Sequence, residues 1–401
     1  MPSQLASATA LESVASSPPP DRAAPNASAP DDSTREPEPS SALSVAPVGP
    51  QRSFLRRHGI KTALSVLIAG VFVWVLRRGG LPLIPSRSAF AAVNWGLYTV
   101  HVALLLVLHT FRAVRWRHLL HPIAPNVSNR RVLAASWIGF TAILILPLRA
   151  GEIVRPYLIR DGKKVTLSAA LGTMGAERVI DGLLVTLVLA GALVFVPRLD
   201  PLPQTFGELK IPVAAIPAAG WAALAVFVCA FIAMAVFYFA RDFARRVIAG
   251  TIGRFSPRLG ERVSGIIEGI ASGLHFLVGP RHAIPFLLET LAYWVLNATM
   301  MWILGLACGL PMTFGVACAV MGVLAIGILV PAGPGLFGAF QAATYGALAM
   351  YFSPHVIMSA GAVYVFLLYA TQFVWNIIAA GLATLIDPTI TRRTDATFAK
   401  I

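Results

Sequence analysis

Six charged side chains that stand in or beside apolar stretches are the candidates for chemistry in this chain. They are Arg149, Glu152, Arg155, Glu177, Arg178 and Asp181. Ionisable residues at membrane depth cost about 2.5–3.5 kcal/mol each on insertion scales, so by default they indicate a functional site. The planar guanidinium of arginine matches the oxygens of a phosphate. Three arginines among three carboxylates therefore predict a substrate-binding network that is neutral overall and opens for an anion.

Spacing predicts which of these side chains are neighbours. Glu152 and Arg155 lie three residues apart on a helix that restarts after a break, and Arg149 lies a turn earlier. Glu177 and Asp181 lie four residues apart on one face of another helix. Two interpretations stay open. The charges form a substrate-binding site, or they form structural salt bridges that hold the helices together at the cytoplasmic interface.

The helices that carry these residues must be interrupted, because two apolar runs each reach a proline that is followed four residues later by a glycine. Proline lacks a backbone N–H and ends or kinks a helix. Backbone groups freed inside a membrane are tolerated only within protein or beside a wet cavity, so paired breaks point to a transporter's binding site. The predicted break residues are Pro147, Gly151, Pro331, Gly333, Pro334, Gly335 and Gly338.

Composition determines the expected fold class. Hydrophobic residues make up 57% of the 401 residues and charged residues only 12%, whereas a soluble protein carries about 25% charged residues. We therefore expect an all-α, polytopic integral membrane protein with six or more spans plus two broken or re-entrant helical hairpins. The net charge of +14 fits basic cytoplasmic loops. No nucleic-acid partner is expected, because no basic helix alternates with stacking aromatic residues.

The distribution of Lys and Arg predicts how the chain is arranged across the membrane. Basic segments flank the first broken run, whereas the second lies in a region without Lys or Arg, so the two hairpins should enter from opposite faces. Such an arrangement is an inverted repeat, although two ordinary short spans in place of the second hairpin would keep the same parity. The predicted organisation is a disordered cytoplasmic tail (1–52), a transmembrane domain (53–390) and a cytoplasmic tail (391–401). The transmembrane domain is predicted to have halves at about 93–196 and 283–386, joined by an amphipathic linker (241–282). Both termini are predicted to be cytoplasmic.

Four motifs follow one another along the chain. They contain Arg112, Arg115 and Trp116; then Pro147, Arg149, Gly151, Glu152 and Arg155; then Glu177, Arg178 and Asp181; and finally Pro331, Pro334, Gly335 and Gly338. Together they resemble the lysylphosphatidylglycerol synthase transmembrane (flippase-like) family, over roughly residues 55–390. The resemblance implies a domain of the cell inner membrane that moves a lipid or lipid-linked molecule between leaflets. The chain departs from many relatives at Gln341, where they carry a glutamate.

The resemblance and the residues lead to one expected function and one alternative. The expected function is a flippase-like lipid transporter that binds anionic headgroups between broken helices. The alternative is a non-transporting scaffold or accessory subunit of an envelope-lipid or glycosyltransferase enzyme. In bifunctional relatives an aminoacyltransferase domain follows, but this chain stops about 15 residues after its last span, so lysyl transfer is not expected.

No catalytic residue, metal site or cofactor is predicted from the sequence. The three cysteines lie inside apolar runs and lack the paired spacings of a zinc site or a disulfide framework. The expected partners are membrane lipids. A lipid-modifying or glycosyltransferase enzyme and a second copy of the chain are further candidates.

Overall fold

The structure is a computed structural model that describes residues 54–160, 165–204, 213–241, 243, 246, 257–275, 279–330 and 333–390. Within these ranges the chain is helical and contains no β-strand. The two predicted tails, part of the predicted linker and Pro331 lie outside the described residues. The all-α class is confirmed for the part of the chain that the structure describes.

Eleven α-helices of six or more residues make up most of the described chain. They are α1 (Phe54–Arg78), α2 (Trp95–Val114), α3 (Asn129–Ile145), α4 (Val154–Ile159), α5 (Leu167–Phe195), α6 (Ala215–Phe239), α7 (Pro257–Gly273), α8 (Pro280–Ala307), α9 (Phe314–Gly327), α10 (Ala339–Ala349) and α11 (Ala362–Ile386). The other described helical elements are the short helices Arg87–Phe90, Trp116–Leu120 and Pro354–Val356, the π turn Ile357–Gly361 and the 3₁₀ segments Pro147–Ile153 and Pro334–Leu336.

Five helical segments are long and apolar enough to cross a bilayer, which takes about 20 residues. They are Trp95–Leu120, Leu167–Phe195, Ala215–Phe239, Pro280–Ala307 and Pro354–Ile386. These segments establish a multi-pass membrane protein. The larger number of spans and the inverted repeat stay predictions.

The first break begins where the sequence places it. Helix α3 ends at Ile145, and Leu146 adopts an extended conformation (φ −78°, ψ 137°) before Pro147. A residue that precedes proline is pushed out of the helical region by the proline ring. The chain then makes the 3₁₀ turn Pro147–Ile153 and continues as α4. With 17 residues, α3 is about 26 Å long at 1.5 Å per residue, which is less than the roughly 30 Å of hydrocarbon.

The second break follows α9, which has only 14 residues. The 3₁₀ turn Pro334–Leu336 comes next, and α10 begins at Ala339. The backbone here takes conformations that favour glycine: Gly335 has φ 75° and Gly338 has φ 90°. Gln341 caps α10, because its Oε1 accepts the N–H of Gly338 at 2.7 Å. Gln341 is therefore a buried capping residue.

The segment that follows the first break packs tightly on α3, and Gly151 is the closest point of approach. A Cβ at Gly151 would overlap the backbone of Ala142. We expect Gly151→Ala to destabilise the protein by about 1–3 kcal/mol, the usual cost of overpacking. The measurement is thermal unfolding of the detergent-purified protein.

Gly191→Ala is the matched control for this substitution. Gly191 lies within α5, and a Cβ there meets nothing within 4 Å. It should leave the stability unchanged or raise it, since alanine is favoured over glycine inside helices by about 1 kcal/mol. Equal melting temperatures for the two variants would show that the segment does not pack on α3 as described.

Candidate functional site

A buried ion network connects α5 with the end of α2, and Arg115 is its centre. The side chain of Arg115 is fully buried. Its two terminal nitrogens donate to both oxygens of Asp181, at 2.7 Å and 2.5 Å. They also donate to Glu177 Oε1 at 3.1 Å and to Thr290 Oγ1 at 3.0 Å. A bidentate arginine–carboxylate pair of this kind is among the strong hydrogen-bonded contacts in proteins.

Arg155 completes the network from the opposite side. It donates from Nη1 to Glu177 Oε2 at 2.8 Å and from Nε to Ser136 Oγ at 3.2 Å. Its guanidinium carbon lies 4.0 Å from the centre of the Trp116 ring, which adds a cation–π contact. Two arginines thus share two carboxylates, so this buried group is neutral by formal charge.

The predicted contact between Glu152 and Arg155 is wrong. Glu152 pairs instead with Arg149, whose Nε and Nη2 donate to Glu152 Oε1 at 3.0 Å and 2.7 Å. The reason is that both residues lie in a 3₁₀ turn, in which residues three apart lie directly above one another. Arg155 follows on α4, where its Cβ would meet a Cβ at Gly139 of α3 at 2.7 Å.

Arg149 also joins the two breaks. Its backbone has φ 59°, a left-handed conformation that costs a non-glycine residue about 1–3 kcal/mol and occurs mainly at functional sites. Its Nη1 donates to the carbonyl of Ile328, which follows the last residue of α9, at 2.7 Å. The carbonyls at a helix C-terminus carry partial negative charge, so the arginine cation stabilises this helix end.

A cavity of about 470 Å³ opens beside Arg149 and is bounded by α5, α8, α9 and α11. Its charged lining consists of Arg112, Arg149, Glu152, Arg178 and Asp181. We call it the arginine cavity. Neutral polar and aromatic groups on its wall are Tyr293, Trp294, Asn297 and Gln372. Its volume lies within the roughly 300–1,000 Å³ that is typical of small-molecule sites.

Positive charge in the arginine cavity is not balanced by its own carboxylates. Asp181 is held by Arg115 and Glu152 by Arg149. Among the described residues, Arg112 has no carboxylate partner, and its guanidinium lies 4.0 Å from the centre of the Phe140 ring. Arg178 has two buried nitrogens, Nε and Nη2, without a hydrogen-bond acceptor in the described part of the chain. An unpaired buried donor costs about 1–3 kcal/mol, and more when it is charged, so an anion at Arg178 would be stabilised.

The six predicted site residues fall into two groups. Four of them line the arginine cavity: Arg149, Glu152, Arg178 and Asp181. The other two, Arg155 and Glu177, lie in the buried network behind it. Arg112 and Arg115 were identified only as part of a family motif, and the sequence signal that they share is a position just after a long apolar run. Tyr293 and Trp294 were not predicted as site residues. The sequence signal that could have identified them is their position on the same apolar helix as the polar residue Asn297.

The structure places no metal-binding group in the part of the chain it describes. No set of three or more His, Cys, Asp or Glu side chains is arranged to hold a metal ion among those residues. The histidines of α2 bond to backbone carbonyls instead: His101 Nδ1 lies 2.9 Å from the Met300 oxygen, and His109 Nδ1 lies 3.1 Å from the Leu105 oxygen.

Comparison with known proteins found a family and a curated relative to which this chain is similar. The family model described as the lysylphosphatidylglycerol synthase TM region matches residues 62–375. Glycosyltransferase AglD of Haloferax volcanii is 24% identical over 301 residues, which cover 70% of this chain and 48% of that protein. This chain therefore spans about half the length of that curated relative. No solved structure matches the chain significantly.

Proposed function

The chain belongs to the lysylphosphatidylglycerol synthase transmembrane-region family, and from that premise we propose that it moves a lipid or lipid-linked molecule between the leaflets of the cell inner membrane. The observation that carries the proposal is the arginine cavity, whose wall has three arginines (Arg112, Arg149 and Arg178) and only two carboxylates, both already paired, so that its positive charge needs an anion. The ligand that meets this need is an anionic headgroup with phosphate oxygens. Arg112, Arg149 and Arg178 bind it, while the buried network of Arg115, Arg155, Glu177 and Asp181 positions the helices.

Charge supports an anion over a neutral or cationic headgroup. The cavity and the network behind it contain five arginines (Arg112, Arg115, Arg149, Arg155 and Arg178) and three carboxylates (Glu152, Glu177 and Asp181), so the cluster carries an excess of two positive charges. Such an excess is costly in a low-dielectric membrane protein unless it is compensated. A bound phosphate group, with its negative charge and acceptor oxygens, compensates it.

The two breaks support the proposal of two inverted halves, each with a broken hairpin. Pro147 is followed two residues later by Arg149 (φ 59°), and Pro334 is followed two residues later by Leu336 (φ 57°). A glycine stands four residues after each of these prolines. The matching pair is then Pro147 with Pro334, whereas the sequence alone favours Pro147 with Pro331. Hairpins that enter from opposite faces would bring the two breaks close together, and the bond from Arg149 to Ile328 supports this arrangement.

The orientation that we propose places both termini in the cytoplasm, because basic residues flank the first and last apolar runs. Single cysteines introduced at Ser33 and Lys400 should not react with a membrane-impermeant thiol reagent in intact cells. Both should react after the membrane is permeabilised, which serves as the control. Reaction of either cysteine in intact cells would contradict the orientation.

The central test is lipid translocation by the purified protein in liposomes that contain headgroup-labelled lipids of different charge. Anionic lipids should move faster than neutral ones. Arg178→Gln should slow the anionic lipids about tenfold, because a hydrogen bond to a charged group contributes about 1.5–3 kcal/mol. Its stability should not fall, since the substitution removes unpaired buried donors.

Arg198→Gln is the matched control, because Arg198 is exposed and lines neither the arginine cavity nor the network. It should transport like the wild type. Headgroup binding at this site would be excluded by either of two results. One is equal translocation rates for anionic and neutral lipids, and the other is an Arg178→Gln variant that translocates every lipid at the wild-type rate.

The second candidate function is a membrane partner of a glycosyltransferase, and one observation favours it. The matched relative is named a glycosyltransferase, and the match covers about half of it. Under this function the purified chain would move no lipid alone but would raise the activity of a separate glycosyltransferase that acts on a lipid-linked substrate. Measuring both activities with the same protein preparation separates the two candidates.

A further inference from the structure

A second cavity, of about 330 Å³, lies next to the arginine cavity and differs from it in chemistry. Its lining is apolar throughout and comes from α1, α5, α6, α9 and α10 and the residues that flank them. We call it the apolar groove and define it by Leu76, Ile216, Ala219, Ile326, Gly327 and Ala343. Water is not expected to occupy it, since a buried water needs polar partners.

Short side chains line part of the groove. Gly327 of α9 lies against Ala343 of α10, where a Cβ on the glycine would overlap the Cβ of the alanine. Ala219 of α6 contributes only a methyl group to the wall. At ~30 Å³ for each methylene group, the share of a water molecule in the liquid, the groove has room for roughly ten of them. A single hydrocarbon chain therefore fits the groove in both chemistry and size.

The groove and the arginine cavity meet at the end of α9. Ile326 lines both of them. Just beyond it, Leu329 lines the arginine cavity and Val330 lines the groove, and these two residues are 49% and 51% exposed. A charged cavity that lies beside an apolar groove is complementary to an amphiphile, with its headgroup in one and its hydrocarbon chain in the other.

The groove is also accessible from the bilayer side. Helix α6 forms one of its walls, and only 6% of the apolar window of α6 is buried inside the protein. Ala219 is exposed on this helix. A hydrocarbon chain of the bilayer that contacts α6 at Ala219 therefore reaches the wall of the groove without crossing polar surface. When the arginines hold the headgroup of a lipid, its hydrocarbon chain lies where close packing with the groove stabilises it.

We propose that the apolar groove binds one hydrocarbon chain of the transported lipid while its anionic headgroup occupies the arginine cavity. This inference rests on the proposed function and adds to it a second subsite with a defined chemistry. The protein then recognises both ends of one lipid. A soluble phosphate compound without a hydrocarbon chain would fill only the arginine cavity and would bind more weakly.

Photo-crosslinking of the full-length protein in phosphatidylcholine nanodiscs tests the inference. The probes are phosphatidylglycerol and phosphatidylcholine that each carry a diazirine in the middle of one acyl chain. The phosphatidylglycerol probe should label segments around Ile216–Gly220 and Ala342–Gly346, as mapped by mass spectrometry. Labelling there should exceed that from the phosphatidylcholine probe at least fivefold.

Ala219→Trp, which places an indole in the groove, should reduce this labelling at least fivefold. Ala225→Trp is the control, because Ala225 is exposed on a different face of α6 and lines neither cavity. Both variants should elute as the wild type does in size-exclusion chromatography. If Ala219→Trp fails to fold, the labelling map of the wild-type protein still decides the question.

The outcomes separate this inference from the proposed function. A preference for phosphatidylglycerol with labels outside the groove would overturn the groove and leave headgroup binding intact. Equal groove labelling by both probes would show ordinary bilayer contact and overturn the link between the two subsites. Loss of the preference for phosphatidylglycerol at every labelled segment would contradict the proposed function itself.

Discussion

Arg115→Gln should prevent the chain from accumulating as a folded protein. The substitution leaves the buried Asp181 without its cation and removes one of the two arginines that pair with Glu177. Removing one partner of a buried ion pair costs about 3–5 kcal/mol, which is a large part of the total stability of a typical domain. The measurement is the yield and monodispersity of the protein by fluorescence-detected size-exclusion chromatography, followed by thermal unfolding of any folded fraction.

Arg117→Gln is the control, because Arg117 lies two residues further along the chain and, among the described residues, makes only a long exposed contact, 3.5 Å, to Asn129. Its effect should stay within about 0.5 kcal/mol, as for most surface changes. A second variant, Arg115→Gln with Asp181→Asn, should recover part of the lost yield, since it removes one of the stranded charges. If Arg115→Gln alone is as stable as Arg117→Gln, the network is not what holds these helices together.

Arg149→Lys should fold but translocate anionic lipid about 10- to 100-fold more slowly. Lysine keeps the positive charge and loses the planar fork that reaches Glu152 and the Ile328 carbonyl together. The loss of one charge-assisted hydrogen bond, at about 1.5–3 kcal/mol, accounts for that range. Rates would be measured in the liposome assay and normalised to the amount of folded protein.

Arg160→Lys makes the same chemical change in the segment that follows the first break, and Arg160 does not line the arginine cavity. It should transport like the wild type. The opposite result for Arg149 would be informative. If Arg149→Lys transports normally while Arg149→Ala fails to accumulate, Arg149 serves as a structural ion-pair partner and the headgroup is bound elsewhere.

Local chemistry made several features predictable from the sequence. A hydrophobic fraction of 57% with few charges is incompatible with a soluble fold of this length, so the helical membrane class followed from composition. The first break followed from Pro147, because a proline ring excludes the preceding residue from the helix wherever it occurs. Arg149, Arg178 and Asp181 were identifiable because charges inside apolar segments are rare and costly.

The pairing of the charges was decided by tertiary structure. Arg115 and Asp181 are 66 residues apart in the chain, and their contact depends on how α5 packs against the end of α2. The contact of Arg149 with Ile328 joins residues 179 apart and exists only because two broken segments meet. The incorrect pairing of Glu152 with Arg155 has a related cause, since a change from 3₁₀ to α geometry at Val154 rotates the later side chain away.

The sequence determined which residues must be helical, which must break a helix and which charges need partners, because these properties depend on each residue and its nearest neighbours. Only the tertiary structure decided which charges are neutralised within the core and which, like Arg178, are left without a partner on the cavity wall, because that depends on distances between segments far apart in the chain.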